Sequence, residues 1–243
     1  MNGTNGPKIL MKMFQNQQHA EAFRQGKLYA KPLSYFQQLE GKVGQADPDE
    51  GSQWSGEDGI LTLWSDPSDK ITLGRDDLLG PIRFQMLNHI NVVCFHIWTP
   101  PDDLSNKLLS NVGGEAIPYQ MPQRLQREFG DHLVAIHDCS EFLDRLNSAL
   151  HRQYISGDFT RARQGRVQYQ DHQPVFLSDP YSLEAAFYKG TRFQYQSEYR
   201  VAFERRNAPR GGAPHTLDIG DIRDITMSLK TSDPLYCQAA RKE

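Results

Sequence analysis

The longest stretch of two-residue alternation in the chain runs from Arg192 to Arg205, and it constrains the rest of the fold. In an extended strand Phe193, Tyr195, Ser197, Tyr199, Val201 and Phe203 share one side, and Gln194, Gln196, Glu198 and Arg200 share the other. A strand with one apolar face has to cover that face with another layer, so a sheet carrying helices is expected.

The remaining elements are short and mixed. Pro7–Phe14 reads as a first strand and Gln15–Gln25 as a helix closed by Gly26 at its C′ position. Lys27–Lys31 is extended because Pro32 follows, and Pro32 opens a short helix through Leu39. Strand patterns recur at Gly59–Trp64, Ile82–Met86, Asn91–Trp98 and His132–His137. Helices are expected over Pro122–Phe129, Ser140–Gln153 and Pro180–Tyr188. In the second of these Phe142, Leu143, Leu146, Ala149 and Leu150 line one 3.6-period face. Residues 40–58 read as an acidic loop and 156–165 as an Arg/Gly loop, with strands at Arg166–Gln170, Thr216–Ile219 and Ile225–Leu229. The sum is a single α+β domain over residues 1–243, with a split, mostly antiparallel central sheet and a few helices.

Composition enters where it excludes something. With 12 Phe, 10 Tyr and 3 Trp the chain can build a core, so global disorder is excluded. No apolar run approaches the roughly 18–20 residues of a membrane span. The first residues lack a basic segment followed by an apolar one, so no secretion signal is expected, and the reading is cytoplasmic. Cys94, Cys139 and Cys237 are odd in number and form no CxxC pair, which argues against a disulfide framework or a structural zinc site.

Charge is uneven. Residues 1–150 carry 13 Lys+Arg against 19 Asp+Glu, whereas residues 151–243 carry 14 against 11. In the second part Arg161, Arg163, Arg166, Arg192, Arg200, Arg205, Arg206 and Arg210 recur, and arginine suits bidentate capture of phosphate or carboxylate. A dinucleotide or nucleic acid fits that pattern, and so does an ordinary solvated surface.

Walker, GxGxxG, HExxH and GxSxG signatures are absent. The eight histidines have no ligand spacing, and no metal site is expected on them. Asp47, Asp49 and Glu50, in a region with 10 Asp+Glu against 3 Lys+Arg over residues 40–80, offer hard oxygen ligands for Mg²⁺ and hence a nuclease alternative. Ordinary turn chemistry explains the same residues. Tyr35, Phe36, Trp54 and Trp64 read as core aromatics rather than a ligand box.

Two segments stand out: Gly26–Phe36 leading into Asp47–Gly51, and Tyr188–Phe203. Together they resemble uncharacterised bacterial and phage proteins, often defence-linked. Gln196-Ser197-Glu198 more distantly resembles the Gln-x-Glu motif of mono-ADP-ribosyltransferases, over about a fifth of the chain. That resemblance implies a late strand presenting a catalytic glutamate to NAD, used as a substrate. Glu198 would stabilise the oxocarbenium-like centre left when the nicotinamide bond breaks, and Gln196 would orient the acceptor. Tyr29 or Tyr188 would stack on the nicotinamide, and Arg24 or Arg192 would hold the pyrophosphate. The acceptor would be a protein or a nucleic acid, with an antitoxin, phage or host protein as a further partner. The pattern departs from the family on the first strand, where Lys8 and Lys12 stand and no arginine does, and in lacking a Ser-Thr-Ser. The Gln194–Arg200 face can instead be solvated cross-strand decoration, and the alternative function of another class is a non-catalytic phage or defence binding protein that captures a partner or nucleotide.

Overall fold

The computed structural model describes residues 9–37, 61–66, 69–73, 90–99, 104, 106–107, 114–170, 183–209 and 212–237. The expected strand over Ile82–Met86 and the acidic loop with Asp47, Asp49 and Glu50 lie outside them. The fold is α+β with mostly antiparallel strands, as expected. The chain falls into two compact units, each built from separated segments: residues 1–29, 94–151 and 216–243 in one, and 30–93 and 152–215 in the other.

In the first unit β1 (Ile9–Phe14) lies between the end of β5 (Ile90–Trp98) and β7 (His132–Ile136). Strand β13 (Thr226–Lys230) extends this antiparallel array beyond β7. Leu10 and Met11 on β1 and Leu133, Val134 and Ile136 on β7 are buried. Helix α1 (Gln17–Arg24) begins where the Asn16 side chain accepts the His19 backbone N–H at 2.9 Å. Its Phe23 ring meets Phe14 at 5.5 Å and Phe95 at 6.1 Å between centroids. The helix stops because Gly26 follows its C-cap Gln25 with φ of +86°, a conformation glycine adopts without steric cost.

Later in this unit come β6 (Ile117–Tyr119), helix α3 (Gln123–Phe129) and helix α4 (Cys139–Ile155), the last running on into the other unit. The Asp138 carboxylate accepts the Glu141 N–H at 3.0 Å and starts α4. Phe142, Leu146, Ala149 and Leu150 are buried, so the 3.6-residue period read from sequence is the buried face. Strand β14 (Leu235–Cys237) pairs with β6, and no strand was expected at either segment.

In the second unit β2 (Lys27–Pro32, from Ala30 onward) pairs with the start of β5 and leads into helix α2 (Leu33–Gln37). Strands β3 (Leu61–Asp66) and β4 (Asp69–Leu73) form a hairpin, of which only the first half was expected. Residues 156–165, expected as a loop, instead contribute β8 (Phe159–Arg166). It pairs antiparallel with β11 (Glu198–Arg205), with Tyr199 opposite Arg166 and Phe203 opposite Ala162. The sequence of β8 is polar and has no apolar alternation, but ion pairs support it from outside. Arg161 meets Glu204 at 2.6 Å and Arg163 pairs with Glu184. Two of the recurring arginines, which fit either a phosphate-rich ligand or a solvated surface, are thus matched to carboxylates of the same unit. Leu33, Ile90, Val92, Leu183, Ala185, Ala186, Phe187 and Ala202 form the local core, with Phe36 packed against it, so that aromatic belongs to the core as expected.

His215, first residue of β12 (His215–Asp218), lies edge-on to the stacked rings of Phe159 and Phe203, at 5.5 and 5.7 Å. Burial lowers its imidazole below the ordinary value of 6.5, the charge of Arg205 lowers it further, and Asp158 opposes this. The folded protein therefore resists protonating His215 more than the unfolded chain does. Its contribution to stability is complete above pH 6.5 and declines as the pH falls below that value. Melting temperature should drop as the pH falls below 6.5, and His215→Phe should flatten that part of the profile; an unchanged slope in the variant would contradict the assignment.

Candidate functional site

The segment expected as one strand is two elements. Thr191–Gln196 forms a 3-10 helix, and the strand β11 begins only at Glu198. The reason is visible in the spacing. Phe193 and Gln196, three residues apart, are both buried, at 5% and 2% exposure, and a three-residue turn puts them on one side. Alternation in the sequence hid that period. Ser197 joins the two elements in the left-handed conformation, φ 43° and ψ 58°, which is uncommon for a residue with a side chain.

This turn brings Gln196 and Glu198 to one cation. Lys189, on β10 (Tyr188–Lys189), donates from Nζ to Gln196 Oε1 at 2.7 Å and to Glu198 Oε1 at 2.7 Å. The short strand is held by parallel pairing with β9 (Gln168–Tyr169). The ammonium also sits 4.7 Å from the centre of the Phe193 ring, where the ring face attracts a cation. Arg200 approaches from the other side. Its Nε donates to Glu198 Oε2 at 2.8 Å, and its Nη1 donates to the Ala186 carbonyl at 2.6 Å. Ala186 belongs to the 3-10 helix Leu183–Phe187 in the core. The Glu198 backbone N–H donates to the Tyr169 hydroxyl at 2.8 Å, which fixes the start of β11.

All four residues are buried: Lys189 is 3% exposed, Gln196 2%, Glu198 7% and Arg200 0%. Burial is the largest influence on the Glu198 carboxyl and pushes it up. The charges of Arg200 and Lys189, with their hydrogen bonds, outweigh burial and hold it well below the usual carboxylate range. Glu198 is therefore ionised at any ordinary pH. Its stabilising effect is whole above 4.5 and declines as acid takes the chain below that value. A carboxylate has about four lone-pair positions. Among the described residues this one accepts two hydrogen bonds, one on each oxygen.

The other residues assigned from sequence are distributed between the units. Tyr188 is half-buried beside Lys189, and Arg192 is exposed with its guanidinium 4.7 Å from the Phe193 ring centre. Both belong to the second unit with Gln196 and Glu198. Arg24 and Tyr29 belong to the first. Arg24 pairs with Glu21 at 3.2 Å and reaches the Thr226 hydroxyl at 3.5 Å, and Tyr29 is 52% exposed on β2. Lys189 was not legible as a site residue from sequence. Its only local signal is a lysine at the end of an aromatic-rich segment, between Tyr188 and Gly190.

Among the described residues no group of three or more His, Cys, Asp or Glu is placed to hold a metal ion. No helix among them is long and apolar enough to cross a membrane. No family model, curated protein or solved structure matches the chain.

Proposed function

We propose that the chain is a cytoplasmic, NAD-dependent mono-ADP-ribosyltransferase-like enzyme that modifies a protein or nucleic-acid acceptor, with Glu198 as its catalytic carboxylate. One observation carries the reading: Glu198 opens a late strand as a fixed carboxylate, kept ionised at ordinary pH by Lys189 and Arg200, with two lone-pair positions beyond those they use. In the reaction the C–N bond to nicotinamide breaks, and the electron pair leaves with nicotinamide. The ribose carbon left behind carries positive charge until the acceptor nucleophile bonds to it. A carboxylate with so low a proton affinity is a poor general base, so the acceptor's proton goes to water or buffer rather than to Glu198. Its part is electrostatic, against the charged ribose centre. In this reading Gln196, held two residues away on the same lysine, orients the acceptor.

A second reading has its own observation. Each Glu198 oxygen already meets a cation and the side chain is 9% exposed, which is what a purely structural ion triad looks like. The chain would then act by binding a partner without chemistry. NAD decides between them. If the first reading holds, NAD at 100 times its dissociation constant stabilises the protein by about 2.7 kcal/mol, read as a raised melting temperature. Labelled NAD incubated with the protein and a cell lysate then leaves label on a protein or nucleic-acid fraction. Neither response leaves the binding reading.

A further inference from the structure

Two cations meet Glu198, and they are held in different ways. Arg200 stands on β11 itself, is fully buried, and spends Nη1 on the Ala186 carbonyl inside the local core. Lys189 stands on the two-residue strand β10, and its ammonium joins the Gln196 amide to the Glu198 carboxylate with equal 2.7 Å bonds. Removing either cation leaves Glu198 paired with the other, so neither loss by itself strands a bare buried charge. Removing Arg200 also takes the partner from a buried backbone carbonyl, whereas removing Lys189 separates Gln196 from Glu198. From this asymmetry we infer that Lys189 is the positioning residue of the Gln196–Glu198 pair, while Arg200 is the structural anchor of β11.

The amide bond has a directional consequence. With Lys189 donating to Gln196 Oε1, the amide nitrogen is turned away from the lysine, and it reaches the Tyr195 hydroxyl at 3.2 Å. Lys189 thus takes the Oε1 end of Gln196 and leaves its amide nitrogen to Tyr195. Its meaning for catalysis rests on the function proposed above; the positioning itself does not.

The test uses full-length protein labelled for NMR, following the Glu198 carboxyl carbon and the Gln196 side-chain amide in wild type, Lys189→Met, Lys189→Arg and Arg200→Met. The wild type should show no Glu198 titration between pH 7 and 4. Lys189→Met should fold, bring the Glu198 midpoint up by at least about one pH unit, and speed exchange of the Gln196 amide protons at least tenfold. Lys189→Arg should restore part of that protection, and Arg200→Met should lose more thermal stability than Lys189→Met. A folded Lys189→Met with unchanged Glu198 and Gln196 signals overturns the inference. So does a Lys189→Met chain that does not fold, because Lys189 would then serve the fold. NAD turnover is read on the same samples. A drop of about 100-fold in kcat with little change in KM extends the positioning to catalysis. A wild type that shows the NMR coupling but neither binds nor consumes NAD removes the proposed function and leaves Lys189 as the positioning residue.

Discussion

Glu198→Gln is expected to lower the stability of the protein by about 3–5 kcal/mol, the usual cost of stripping one partner from a buried ion cluster. The amide keeps the size of the carboxylate but leaves Lys189 and Arg200, both almost fully buried, facing a neutral group. Its new NH2 also points donor hydrogens at one of the two cations. Domains of ordinary stability have only 5–15 kcal/mol in hand, so the variant should be studied at low temperature, with urea unfolding as the measure. A double substitution separates the causes. Lys189→Met added to Glu198→Gln removes one of the two unmatched cations and should return part of the loss, a coupling that unrelated sites would not show. Catalysis is read on the fraction that stays folded. If the carboxylate faces a cationic ribose centre, transfer from NAD falls by about 10²–10³, equivalent to about 2.7–4 kcal/mol of transition-state stabilisation. Full transfer activity in folded Glu198→Gln would end the transferase reading, whatever the stability result.

Gly26→Ala should be strongly destabilising, since among the described glycines Gly26 has the closest backbone atom to an added Cβ. Gly26 has a φ of +86°, and a Cβ built on it would stand 1.8 Å from the Gly220 carbonyl oxygen and 2.4 Å from its carbon. These are backbone atoms, so no side chain can swing aside. The two chain segments are also stitched together: Ile219 N–H donates to the Gly26 carbonyl at 3.0 Å, and Ile222 N–H donates to the Arg24 carbonyl at 2.9 Å. Moving apart to admit a methyl group breaks those bonds, at about 0.5–1.5 kcal/mol each. The positive φ adds about 1–3 kcal/mol, so with the two hydrogen bonds a total of about 2–6 kcal/mol is expected. Gly157→Ala is the internal comparison. It has the same sign of φ, +81°, but no atom within 4 Å of the added methyl. Only the backbone cost applies there, and chemical unfolding should find it well below that of Gly26→Ala. Equal losses at the two positions would mean the close approach to Gly220 is not what constrains Gly26.

Gly26 also shows where sequence and tertiary structure divide. That a glycine ends helix α1 follows from local chemistry, since the C′ position calls for a left-handed residue and the chain supplies one. That the same glycine is pressed against Gly220, nearly two hundred residues on, no local pattern could say. The apolar face of α4 and the strand characters of β1, β5 and β7 were legible for the same reason as the helix end. Each is written in the period of side chains within one element. Strand β8 was not legible, because its residues are polar and its support comes from β11 and from Glu184 and Glu204. Nor was the turn at Thr191–Gln196. Its two-residue alternation is real, but burial of Phe193 and Gln196 on one side selects a three-residue period instead.

The candidate site follows the same division. Its glutamate and glutamine could be picked from a three-residue pattern, and the placing of Glu198 and Arg200 on one face followed from their spacing. The sequence alone determined the α+β class, the element types with strong internal periods, and the residues that bear charge near position 198. Only the tertiary structure decided that Lys189 binds both Gln196 and Glu198, that Arg200 is anchored on Ala186, and that Arg161 and Arg163 are matched by carboxylates. Side-chain period and cap preference act over a few residues and are fixed by the residues themselves. Which buried charge meets which partner depends on the energy of the pair in a low-dielectric interior, and that interior exists only once distant segments have packed together.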